Sequence, residues 1–116
     1  MSTWDREILS EEVNTEFLDD IADSDVEDIE EAIADAVVLG NSDTATDDEF
    51  YNGLAAATIV AIWAGAPYSA GEIIENYPFI RDMIGTGEEE LREKASELLE
   101  SADTELDLEV YIEALS

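Results

Sequence analysis

The chain has no cysteine and no histidine, and it sets only four Lys and Arg against 32 Asp and Glu, for a formal net charge of −28 over 116 residues. Without cysteine there are no disulfides and no thiol chemistry, which is compatible with a cytoplasmic protein. With both residues missing there can be no Ser–His or Cys–His pair, no zinc site of the usual kind and no Glu-x-x-His di-iron motif. Phosphate-cradling glycine loops of the G-x-x-x-x-G-K-[ST] and G-x-G-x-x-G types are missing too. The scarcity of basic residues argues against nucleic acid as a direct ligand, since that binding rests on Lys and Arg neutralising phosphates. It argues equally against an anionic membrane surface.

A long hydrophobic run is also lacking. The main apolar run, NGLAAATIVAIWAG at residues 52–65, makes roughly 21 Å of helix against a hydrocarbon core of about 30 Å. No Lys or Arg flanks it, so it reads as no membrane span. The opening MSTWDREILSEE has no basic region leading into an apolar stretch, unlike a signal peptide.

What the chain does have is 46 % hydrophobic residues, enough for a packed core in a single domain spanning residues 1–116. Charge is concentrated at the two ends. Residues 1–50 hold 18 acids and residues 88–116 hold 11, but residues 51–87 hold only three. Helix starts are marked by Ser or Thr followed three residues later by an acid: Ser24–Glu27, Thr46–Glu49, Ser69–Glu72, Thr86–Glu89 and, more weakly, Thr104–Asp107. Gly40, Gly65 and Gly85 each follow an apolar stretch and read as stops.

These signals predict helices over about 11–23, 25–39, 47–64, 88–101 and 105–115. A fourth element is broken by Pro78 into pieces near 70–76 and 78–84. The last segment, ELDLEVYIE, alternates like a strand, but a lone strand would have no partner. The inner face of the first helix is expected to carry Val13, Phe17, Leu18 and Ile21. That of the second carries Val26, Ile29, Ile33 and Val37, and that of the 88–101 helix Leu91, Ala95, Leu98 and Leu99.

The third helix places Leu54, Ile59, Val60, Ile62 and Trp63 in several directions, with small alanines between them. A helix apolar on all sides is buried on all sides, so this segment is expected to be core. Trp63 then packs, and Trp4 folds back as a lid on the core. The expected architecture is all-α, a compact bundle of five to six short helices around this buried Ala-rich helix.

Candidate chemistry is thin. With 32 acids, a carboxylate pair of the kind glycosidases use is unavoidable by chance and carries no information. Two runs resemble the start of a calcium loop. DSDVEDIEEAIA has Asp28 where a sixth-position Gly is needed and ends on Ala34 rather than Glu; NSDTATDDEFYN has Thr46 and Asn52 in those places. Catalytic, metal and cofactor sites are therefore not expected.

The remaining feature is a pair of acidic helix faces. One carries Glu12, Glu16, Asp19 and Asp23, and the other Glu27, Asp28, Glu31 and Asp35. Like charges at i, i+4 cost about 0.2–0.5 kcal/mol each, and there is no lysine between them to relieve it. A solvated surface, a high-salt habitat in which repulsion is screened, and a basic protein partner all account for such faces. A fourth account is mimicry of a phosphate backbone, with carboxylates stepping about 6 Å per i, i+4 interval.

Residues 2–21, STWDREILSEEVNTEFLDDI, together with GLAAATIVAIWAG, resemble a bacterial family classed as domain of unknown function 4259. Trp4, Ile8, Ser10, Phe17, Asp19 and Asp20 carry the first part of the resemblance and Leu54 to Ala64 the second. Ser2 and Asp5 stand where members favour glycine. The resemblance implies a small helical protein without assigned activity and brings no catalytic residues with it. The functional expectation is a non-enzymatic binding module that engages a basic protein through the eight acids named above, with a DNA mimic, a carboxylate-pair enzyme or habitat-driven acidity as the alternatives.

Overall fold

The computed structural model describes residues 4–66, 68, 71–102 and 108–115. Among them eight helices occur and no strand. They are α1 (Trp4–Ser10), α2 (Glu12–Ala22), α3 (Val26–Gly40), α4 (Asp47–Trp63), α5 (Gly71–Asn76), α6 (Phe79–Asp82), α7 (Glu89–Glu100) and α8 (Glu109–Leu115).

The start of α4 follows from its residues. Thr46 accepts a hydrogen bond from the Glu49 backbone N–H at 3.2 Å, and the Glu49 carboxylate accepts from the Thr46 N–H at 3.0 Å, a reciprocal capping box. From Gly53 to Trp63 every residue of α4 is buried. Helices α1, α2, α3, α6, α7 and α8 all pack against it, α3 and α7 most extensively. Apolar surface on every side of α4 thereby leaves water, the largest favourable term available to a chain of this size. Gly65 and Gly85 take positive φ (109° and 98°), as residues that end helices commonly do.

Several expectations are corrected. Eight helices replace five to six, because Trp4–Ser10 forms a helix of its own and the Pro78 break yields two separate helices. Trp4 therefore opens a helix. Its indole N–H donates to the Thr58 hydroxyl at 2.8 Å, and that hydroxyl donates to the Leu54 carbonyl at 2.8 Å, which fixes α1 to the middle of α4.

The inner face of α2 is turned toward Asn14, which is fully buried with Leu18 and Ile21, while Val13 and Phe17 are only partly covered. The Asn14 amide donates to the Ile8 carbonyl at 2.7 Å, so a polar side chain ties the end of α1 to α2. Val26 is 59 % exposed, because as the first residue of α3 it projects beyond the contact made by Ile29, Ile33 and Val37.

The Ser24 and Thr86 caps do not form. The helices begin later than that pattern requires, so Asp25 and Glu88 occupy the N-cap positions, neither with a side-chain cap bond. The helix α3 does end at Gly40, which is its last residue and faces Gly53 of α4. The Ser69 and Thr104 caps lie outside the described residues, as does the start of the 105–115 segment; Glu109–Leu115 is helical.

Candidate functional site

All eight acids of the two faces are exposed. Glu12, Glu16 and Asp19 lie on α2, and Asp23 caps its C-terminal end; Glu27, Asp28, Glu31 and Asp35 lie on α3. None of them forms an ion pair among the described residues. The basic residues lie elsewhere, and Lys94 of α7 pairs within its own helix with Glu90 at 3.3 Å.

The two helices differ in what their acids do for stability. Glu27 and Asp28 stand in the first turn of α3, where the helix dipole favours negative charge. Asp19, Asp20 and Asp23 stand at the C-terminal end of α2, where no basic residue occurs. The dipole there disfavours carboxylates by about 0.3–1 kcal/mol each. Helix stability alone would not select that arrangement.

Asp19 is partly compensated. Its carboxylate accepts a hydrogen bond from the Tyr77 hydroxyl at 2.5 Å, which ties α2 to the α5–α6 junction. Burial, and secondly the bond and the charge of Asp19, push the Tyr77 phenol up to about 12 from 10.0. Below pH 10 the phenol is neutral in both folded and unfolded chains, and its contribution to stability is complete. Between pH 10 and 12 the unfolded chain ionises first, so that contribution is lost as pH rises through the folded value. Tyr77→Phe is therefore expected to flatten the fall in melting temperature between pH 10 and 12 and to leave the neutral-pH slope unchanged, as thermal melts across pH 6–12 would register.

Glu27 and Glu31 also share a groove that spacing along one helix does not reveal. Where α3 faces α7, a hollow of about 270 Å³ is lined by Glu27, Glu30, Glu31 and Glu88 around Ala34 and Leu91. Asp28 and Asp35 are outside its lining, and the acids of α2 take no part in it. Glu30 and Glu88 were absent from the expected site. The exposed position of Glu88 was readable, but its approach to α3 depends on a helix pairing between distant segments. Among the described residues no group of three or more acids is placed to hold a metal ion, and no helix is long and apolar enough to cross a membrane.

The molecule is thus all-helical among the described residues, with eight of its many exposed carboxylates on α2, its C-terminal cap and α3. The chain belongs to the family described as domain of unknown function 4259, whose model matches residues 2–112. No curated protein and no solved structure matches it.

Proposed function

We propose that this protein is a cytoplasmic, non-catalytic binding module whose α2–α3 face engages a basic protein surface. The observation that carries the reading is the eight exposed carboxylates of Glu12, Glu16, Asp19, Asp23, Glu27, Asp28, Glu31 and Asp35, on helices without any Lys or Arg. Asp19 and Asp23 persist at the dipole-disfavoured end of α2, where a chain selected for stability alone would place a cation. A field of one sign speeds encounter with a partner of the opposite sign and fixes its orientation. The α3–α7 hollow adds a concave place, walled by four glutamates over Ala34 and Leu91, for a protruding basic side chain.

The test is affinity capture with the whole protein at about 0.05 M and 0.5 M salt, where the screening length falls from roughly 14 Å to about 4 Å. A defined set of basic proteins is expected at low salt, released at high salt and absent when the face acids are replaced by their amides. Recovery of no basic protein overturns the proposal. Release of a DNA-binding enzyme by duplex DNA, with no dependence on the face acids, would overturn it as well.

A further inference from the structure

A second concavity, of about 370 Å³, opens between α1 and the start of α4. That size falls in the range of small-ligand sites. Its buried base is Trp4, Ile8 and Leu54, and the half-buried Phe50 and the exposed Tyr51 also line it. The Phe50 and Tyr51 rings are 6.4 Å apart and tilted at 56°. The indole N–H of Trp4 is already committed to Thr58, so Trp4 offers the groove its ring carbons.

On the α1 side the same groove carries Glu7 and Glu11, both exposed and both with carboxylates unpartnered among the described residues. Arg6 is the basic residue of α1, and it forms no ion pair with Glu7 or Glu11 among the described residues. An aromatic and aliphatic hollow beside two free carboxylates suits one kind of occupant: an apolar stem that ends in a delocalised cation. Ring faces attract such a cation, and the carboxylates complete its charge balance.

We infer that this α1–α4 groove receives an arginine side chain presented by a basic partner, its stem over Ile8 and Leu54 and its guanidinium between Tyr51 and the Glu7 and Glu11 carboxylates. This rests on the reading that the partner is a basic protein, but it uses residues separate from the α2–α3 face.

N-acetyl-arginine amide, titrated into the full chain and followed by two-dimensional NMR, tests it. N-acetyl-citrulline amide is the control, having nearly the same shape without the charge. Shifts confined to Ile8, Phe50, Tyr51 and Leu54 are expected for the arginine compound, with citrulline weaker by about tenfold or more. Tyr51→Ala, at a side chain 44 % exposed and so tolerated by the fold, is expected to abolish the shifts. E7Q/E11Q is expected to weaken them.

Equal binding of citrulline, shifts spread over the acidic helices without the groove, or no shifts at all would overturn the inference. The amide-substituted α2–α3 face is expected to leave the arginine titration intact. Loss of the groove signal with retained salt-sensitive capture thus overturns this inference alone, and the converse overturns only the proposed function.

Discussion

Trp63→Ala is expected to lower the free energy of unfolding by about 3–5 kcal/mol, a large share of the roughly 5–15 kcal/mol a domain possesses. Trp63 closes the last turn of α4, is 1 % exposed and is the largest of the fully buried side chains. Truncation leaves a cavity that α4 cannot readily collapse, because neighbouring helices hold it on several sides. The Trp63 carbonyl also accepts the Gly85 N–H at 2.7 Å, a bond that truncation spares. The loss therefore reports packing.

Trp63→Phe makes the argument sharper. The indole N–H is buried without an acceptor among the described residues, a cost phenylalanine removes. The smaller cavity and the missing donor act in opposite directions, and a net loss of about 1–2 kcal/mol is expected. Urea unfolding measures both variants, through a lower midpoint at unchanged slope. A Trp63→Ala loss under 1 kcal/mol would contradict the packing described.

Gly53→Val is expected to cost about 3 kcal/mol or more, although valine favours a helix interior over glycine. A Cβ at Gly53 would lie 2.8 Å from the Gly40 Cα and 3.0 Å from the Ala36 carbonyl oxygen, both backbone atoms of α3. Relief requires the two helices to separate, which loosens the α3–α4 contact. A Cβ at Gly40 meets the Gly53 Cα at 2.9 Å, so the close approach is mutual. Gly71 supplies the control, since nothing lies within 4 Å of a Cβ there. Gly71→Ala is expected to be neutral or slightly stabilising. Thermal or urea unfolding of the pair separates a steric effect from a general intolerance of glycine replacement.

That glycine pair also shows where sequence reading runs out. Gly40 follows an apolar helical stretch as a stop would, and only its partner 13 residues later reveals a helix crossing. Helix α4 was legible because a segment apolar on all sides has nowhere to lie but inside, and Thr46–Glu49 is a cap made of neighbours in the chain. Helix α1 was not. Its seven residues carry no distinct stop before α2, and its burial depends on Thr58 and Tyr111.

Asp5 is the clearest case. A carboxylate in so acidic a chain reads as surface, yet it is 0 % exposed and accepts the Tyr111 hydroxyl at 2.9 Å across a separation of 106 residues. The exposure of the eight site acids was readable from helical period alone. That Glu27 and Glu31 join Glu88 in a hollow, or that Asp19 is held by Tyr77, was not, because both depend on distant segments meeting.

The central claim is that the α2–α3 face, and not net charge, recognises a basic protein. Two variants with equal charge change test it most directly. One replaces Glu12, Glu16, Asp23, Glu27, Asp28, Glu31 and Asp35 by their amides and leaves Asp19 to hold Tyr77. The other replaces Asp43, Glu72, Glu75, Asp82, Glu93, Glu97 and Glu100, all likewise exposed. Affinity for a captured basic protein, measured by calorimetry at low salt, is expected to fall at least tenfold in the first variant and to change less than about threefold in the second. Equal losses in both would show that bulk charge alone is sensed and would contradict the account.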